Sequence, residues 1–104
     1  MAATNTAPQP GGRAIYDPAS GTLVFIANNM PAVPAQKIYE LWLIPTSGAP
    51  VPAGLFKPNA RGTATITKAP LRTGLDAKTF AITIEPEAGS SAPTSQPIMV
   101  GTRG

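Results

Sequence analysis

Proline and glycine occur so often in this chain that they decide which secondary structure it can form. Thirteen prolines and ten glycines are distributed over 104 residues. Proline removes a backbone donor and clashes with the preceding turn of a helix, while glycine costs a helix conformational entropy. No uninterrupted helical period longer than about two turns remains. The sequence therefore predicts short strands separated by turns and disfavours helices.

The strongest apolar segment is KIYELWLI, residues 37–44. Its length and composition predict a central strand. Because side chains alternate along a strand, Tyr39, Leu41 and Leu43 share one face. The opposite face carries Glu40, whose charge predicts that this face is at least partly wet.

A second alternating segment, TFAITIE at 79–85, is followed by an unusually long connection. The pattern predicts that its phenylalanine and isoleucines point inward and that its threonines and Glu85 point outward. The segment PIMVG, 97–101, is expected to return beside it. The 11-residue connection Pro86–Gln96 is too long for a tight turn, so we expect it to be pinned by its own residues and stiffened by proline.

The remaining segments complete an all-β pattern. TLVFIA at 22–27 is apolar on both faces, which predicts a central strand with little water on either side. VPAGLF at 51–56 is predicted to be an edge strand, since Pro52 cannot donate to a ladder. About seven strands in roughly 90 residues predict an immunoglobulin-like antiparallel β-sandwich.

The domain organisation is predicted to be simple. Residues 1–12 are polar, contain proline and glycine, and are predicted to be a flexible leader or stalk remnant. Residues 13–104 are predicted to form a single β-sandwich domain. In the polar link KAPLRTGLDAK, residues 68–78, Leu71 and Leu75 could tuck under the sandwich as a plug.

The residue types that are missing exclude several kinds of chemistry. The chain has no Cys and no His, which removes thiolate or imidazole metal sites, Cys nucleophiles and the commonest general base. We therefore expect no metal, no cofactor and no enzymatic activity. The eight Lys and Arg residues give a net charge of +3, but they are spread along the chain, whereas nucleic-acid binding requires them on one face. No nucleic-acid partner is predicted.

Glu85 and Glu87 form the only close carboxylate pair, and Asp17 could join them in an oxygen-rich calcium site. A glycosidase needs two carboxyl groups about 5–9 Å apart across a cleft, and adjacency along a strand is poor support for that. No spaced calcium-binding loop is present. Solvated acids are therefore favoured over both kinds of site.

Trp42 has two interpretations. A tryptophan on a central strand of a sandwich usually fills the core, and that interpretation is favoured. The alternative is a contact patch, because Trp42 shares its face with Glu40 and exposed aromatic residues often anchor partners. The candidate partner-contact residues are Glu40, Trp42, Glu85 and Glu87.

Two stretches of the chain carry specific motifs. The first reads PAQKIYELWLI at 34–44, followed by GLF at 54–56. The second reads TIEP at 83–86, followed by GS at 89–90, PT at 93–94 and Pro97. With these motifs in this order, most of the chain resembles the C-terminal, extracytoplasmic domain of bacterial anti-sigma-K factors.

The resemblance implies a membrane-bound regulator whose cytoplasmic part holds an extracytoplasmic-function sigma factor inactive. One helix would cross the membrane, this domain would lie outside, and successive proteolytic cuts would release the sigma factor. Since neither the cytoplasmic part nor the membrane helix is present, we expect an excised domain with a regulatory protease as partner and a sigma factor bound only through the absent part. The hypothesis is that the domain sterically protects the stalk near residues 1–12.

Two other functions remain open at this point. One is a β-sandwich module that binds carbohydrate or a surface protein through the Trp42 face. The other, ranked last, is a small hydrolase that uses Glu85 and Glu87 and would need a cleft between them.

Overall fold

The computed structural model describes residues 10–17, 19–68 and 77–102, and all regular structure in these ranges is strand. Seven strands form two antiparallel sheets within the described part of the chain, which confirms the predicted β-sandwich. In chain order the strands are β1 (Gly11–Asp17), β2 (Thr22–Asn28), β3 (Lys37–Pro45), β4 (Val51–Phe56), β5 (Ala64–Lys68), β6 (Ala77–Pro86) and β7 (Met99–Thr102).

The two sheets differ in size. The three-strand sheet has the order β1-β2-β5, and the four-strand sheet has the order β4-β3-β6-β7. β2 and β3 are therefore central and β4 lies at an edge, as the sequence predicts. In immunoglobulin constant domains the fourth strand belongs to the sheet of the first two. Here β4 pairs with β3 instead, with Pro52 opposite Trp42 beside a register shift.

The hydrophobic core lies between the sheets. β3 contributes the predicted face of Tyr39, Leu41 and Leu43, and β6 contributes its inward residues. The ring of Phe25 lies 5.4 Å from that of Phe80 in an edge-on arrangement, which is a favourable aromatic geometry. The buried core residues are Ala14, Tyr16, Leu23, Phe25, Ala27, Met30, Tyr39, Leu41, Leu43, Ala53, Phe56, Phe80 and Ile82.

The outer face of the four-strand sheet is also dry. Its side chains at the centre of β3 and β6 are buried, although they belong to no part of the core between the sheets. Residues 87–98, which connect β6 to β7 and are named the strap here, lie over them. The prediction that Glu40 marks a wet face is therefore wrong, because the connection after β6 covers it.

The structure differs from the sequence predictions at β1 and β2, and some predictions concern residues outside the described ranges. β1 begins at Gly11, two residues before the predicted domain boundary, while residues 1–9 lie outside the described residues, as do Leu71 and Leu75. β2 is less dry than expected, because Ile26 on its outer face is 44% exposed. No helix among the described residues is both long and apolar enough to cross a membrane.

Candidate functional site

The candidate site lies on the outer face of the four-strand sheet, under the strap. Alternation places Glu40 and Trp42 of β3 on this face, and Thr83 and Glu85 of β6 beside them. The antiparallel register sets Glu40 opposite Thr83. Glu85 is one step further along the same face, so the two carboxylates are diagonal neighbours.

A chain of hydrogen bonds connects Trp42 to Glu85. The Trp42 indole Nε1 donates to Thr83 Oγ1 at 2.8 Å, and that hydroxyl donates to Glu85 Oε2 at 2.5 Å. Trp42 and Glu85 are both 0% exposed. Because the threonine hydroxyl accepts from one and donates to the other, the buried indole and one carboxylate oxygen are satisfied by a single side chain.

The strap supplies the remaining partners of the carboxylates. Glu85 accepts hydrogen bonds from Ser90 Oγ at 3.0 Å, from the backbone N–H of Thr94 at 3.1 and 3.2 Å, and from the Thr94 hydroxyl. Glu40 Oε1 accepts from the backbone N–H of Ser90 at 2.9 Å. Within the described residues, every buried side-chain nitrogen and oxygen has a hydrogen-bond partner. The two glutamates therefore anchor the strap at two points, Ser90 and Thr94.

The two ends of the strap are fixed by backbone and surface contacts. At its start, the Gly89 N–H donates to Pro86 O at 2.7 Å, and a φ of 85° at Gly89 is a left-handed conformation that glycine adopts without strain. At its end, the Ile98 N–H donates to Ile82 O at 2.8 Å. Between them Ser95 Oγ donates to a backbone carbonyl of β6. The strap is thus held at both ends and at Ser95, in addition to its two carboxylate anchors.

The two buried carboxylates are perturbed in opposite directions. Burial pushes the pKa of Glu85 upward, but hydrogen bonds from Thr83, Thr94 and Ser90 outweigh it and hold the pKa below its ordinary value. Burial raises the pKa of Glu40, which the charge of Glu85 reinforces and the Ser90 N–H only partly offsets. Glu85 is therefore the firmly ionised anchor, and Glu40 is the one that protonates first.

The structure brings three of the four candidate partner-contact residues together. Glu40, Trp42 and Glu85 share the buried network, whereas Glu87 lies on the surface at the start of the strap and pairs with Lys57 at 2.5 Å. The expectation of a solvated acid holds for Glu87 but is wrong for Glu85, because the strap folds over it. A partner could reach the three buried residues only if the strap lifted.

Trp42 is buried, as favoured, but it fills a layer of its own outside the core between the sheets. All six aromatic residues of the chain belong to the described part and are at most 6% exposed. Carbohydrate-binding sites stack sugars on exposed rings, so this arrangement does not favour the carbohydrate-binding alternative.

The hydrolase alternative has equally little support, since both oxygens of Glu85 are occupied by protein donors. Among the described residues, no three acidic side chains are close enough together to hold a metal ion.

Sequence reasoning missed Thr83, Ser90 and Thr94 as parts of the site. A signal was present in the second motif, since TIEP, GS and PT contain each of these hydroxyl residues in addition to Glu85. Their role could not be inferred from spacing alone, because Thr94 follows Glu85 by nine positions along the chain and only the folded strap brings them together.

Comparisons with known proteins identify relatives of most of the chain. A family model described as "Anti-sigma-K factor rskA, C-terminal" matches residues 1–98. The anti-sigma-K factor RskA of Mycobacterium ulcerans (strain Agy99) is 38% identical over 71 residues, which are 68% of this chain and 29% of that protein. A protein of Streptomyces griseus described as an uncharacterized protein in the phr 5' region is 32% identical over 87 residues, 84% of this chain and 35% of that protein.

The chain spans about a third of the length of these curated relatives. No solved structure matches it significantly.

Proposed function

Because the chain belongs to the family of anti-sigma-K factor C-terminal domains, we propose that it is the extracytoplasmic regulatory domain of a membrane-bound anti-sigma factor. A different part of the whole protein would bind the sigma factor, and a membrane helix would anchor it. A regulatory protease acting on the stalk would be the partner of this part. The observation that carries the proposal is the family match over residues 1–98.

The proposed task of the domain is to shield the stalk near residues 1–12 from that protease. β1 begins with Gly11 and Gly12, which pair with Asn28 and Ala27 of β2. Proteases cleave segments that can leave the fold and become locally extended and accessible. Pairing of these two glycines supports the proposal, because it holds the last two residues of the segment 1–12 in the sheet and withholds them from the protease.

Close packing holds this point of the chain in place. A Cβ atom built on Gly12 would lie 2.8 Å from the Phe25 ring and 2.9 Å from the Met99 side chain. These distances are shorter than normal van der Waals contact, so the core side chains pack directly against the backbone of Gly12. The first strand is therefore tied to both sheets where the stalk enters.

The proposal is tested in the full-length membrane protein with its regulatory protease. Phe25→Ala, which removes a ring from the centre of the core, is expected to raise the rate of stalk cleavage and sigma-dependent transcription. Ser91→Ala, at an exposed position of the strap, is the control and should leave both unchanged. Equal cleavage of the two variants, with Phe25→Ala shown to be unfolded, would contradict steric protection by the domain.

A further inference from the structure

The strap is attached by a different kind of interaction from the rest of the domain. Side chains 91–98 are all exposed, so the strap buries little apolar surface of its own. Its attachment depends on hydrogen bonds from Ser90 and Thr94 to the two buried glutamates, and on the bonds of Ser95 and Ile98 to β6. Segments with few buried apolar contacts open locally at lower free energy than the core.

Glu85 is the centre of this attachment. Its two oxygens accept from Thr83 below and from Ser90 and Thr94 above, so one carboxylate connects the sheet to both anchor points of the strap. Hydrogen bonds to an ionised group are the stronger class. Loss of the Thr94 anchor would leave the middle of the strap without its shared acceptor.

Two features of the fold would respond if the strap opened. Trp42 is 0% exposed, lies outside the core and donates to Thr83, which in turn donates to Glu85 of the anchor, so opening would admit water to the indole. The strap also leads directly into β7, whose first residue, Met99, packs against Gly12 of β1. Glycine pairs lose the most backbone entropy on ordering, so the pairing of Gly11 and Gly12 depends on such packing.

We propose that the strap is a releasable latch: opening it at the Glu85 anchor uncovers Trp42 and loosens the start of β1, through Met99 of β7. The latch is a property of the domain alone. Its regulatory meaning rests on the proposed function, since the start of β1 is where the stalk would enter. A closed latch keeps Gly11 and Gly12 paired, and an open latch makes the adjoining chain accessible.

The chain supplies its own probe, because Trp42 is its only tryptophan. Thr94→Val removes one hydroxyl donor to Glu85 and keeps side-chain size, and Ser91→Ala is the neighbouring control that removes an exposed hydroxyl. Thr94→Val is expected to raise the opening equilibrium about tenfold. Indole emission should shift to longer wavelength and acrylamide quenching should increase, with an unchanged far-ultraviolet circular dichroism spectrum. Ser91→Ala should match the wild type.

Hydrogen exchange followed by mass spectrometry tests the coupling to β1. In Thr94→Val, exchange is expected to rise about tenfold in both the strap and the peptide covering residues 11–17, while β2 and β3 stay protected. Glu85→Gln should have the same pattern with a larger amplitude. If Trp42 is as well protected from acrylamide quenching in Thr94→Val and Glu85→Gln as in the wild type, the latch is refuted. If the strap opens and residues 11–17 exchange as in the wild type, the coupling is refuted.

These measurements involve no protease, so a result that refutes the latch can be distinguished from one that refutes the proposed function. Coupled exchange in Thr94→Val together with unchanged stalk cleavage in the full-length protein would support the latch and contradict stalk protection. Uncoupled exchange would refute the coupling between the strap and β1 and leave the Phe25→Ala cleavage test as the measure of stalk protection.

Discussion

The two faces of the four-strand sheet are both buried, but by different means. The inner face presents Tyr39, Leu41 and Leu43 to a continuous apolar core. The outer face presents Glu40 and Glu85 to a strap that donates hydrogen bonds to both, while Trp42 donates to Thr83 of the same sheet. Apolar burial is non-directional and proportional to area, whereas buried polar groups need specific donors. The inner face therefore stabilises the fold, and the outer face fixes the path of one connection.

The difference also separates global from local stability. Removing apolar contacts from the inner face weakens the whole sandwich, because both sheets share that core. Removing a donor or acceptor from the outer face leaves a buried polar group unsatisfied, and the strap can respond by opening without unfolding of the sheets.

Phe25→Ala is expected to have the largest effect. Phe25 packs against the rings of Phe56 and Phe80, at centroid distances of 5.8 and 5.4 Å. Truncation of such a ring costs about 3–5 kcal/mol of unfolding free energy. Urea denaturation should detect this loss, and both fluorescence and circular dichroism should report the same midpoint. A loss smaller than that of the strap variants would contradict the assignment of global stability to the inner face.

Glu85→Gln is expected to have an intermediate effect. It removes the ionised carboxylate that accepts from Thr83, Ser90 and Thr94, and it places the side-chain NH2 group of the glutamine where an acceptor is needed. The expected cost is about 3 kcal/mol of unfolding free energy. Glu87→Gln is the matched control, since Glu87 is exposed and its ion pair with Lys57 is worth about 0–1 kcal/mol. The measurement is urea denaturation with Trp42 fluorescence. Equal effects at the two positions would disprove the buried anchor.

The dependence of stability on pH is expected to be the smallest effect and to separate the two carboxylates. The raised pKa of Glu40 makes the folded state bind a proton more readily than the unfolded state, so its contribution to stability grows as pH falls through that raised pKa and is complete below 4.5. The lowered pKa of Glu85 acts in the opposite direction, and its contribution is lost as pH falls below 4.5. Together these two groups place a maximum of stability near pH 4.5.

Glu40→Gln isolates one side of this profile. The midpoint of urea denaturation is measured between about pH 3 and 7. In the wild type we expect the midpoint to rise as pH falls from about 7 toward 4.5 and to decrease at lower pH. In Glu40→Gln the rise should be absent, and the decrease caused by Glu85 should remain. A variant that retains the increase would show that the proton is bound elsewhere.

The sequence predicted the inner face well and the outer face poorly. Alternation in KIYELWLI and TFAITIE assigned the core residues of β3 and β6 correctly, because side chains at every second position must share a face. The same alternation placed Glu85 outward, which is correct, and from that a solvated acid was expected, which is wrong. A side chain that points outward from a sheet contacts solvent only where no other segment covers the sheet. The strap covers Glu85, but it has no apolar pattern from which its position could be predicted.

The network under the strap could be predicted only in part. The motifs around Thr83, Glu85 and Thr94 were visible and supported the resemblance to the family. Their hydrogen bonds were not visible, because each partner of Glu85 in the strap depends on the path that the backbone takes between Pro86 and Met99. A stiffened loop was expected to be pinned by its own residues, whereas its anchors are carboxylates of β3 and β6.

By itself, the sequence determined that this chain forms short antiparallel strands around one apolar core, since frequent proline and glycine prevent helices and strict alternation separates two faces. The tertiary structure alone decided that the second face of β3 is also buried at Glu40 and Trp42, and that residues 87–98 fold back to donate to Glu40 and Glu85. The physical reason is that hydrophobic burial follows a local period that can be read along the chain. Hydrogen bonding of buried charges depends instead on donors that only the folded backbone brings into place.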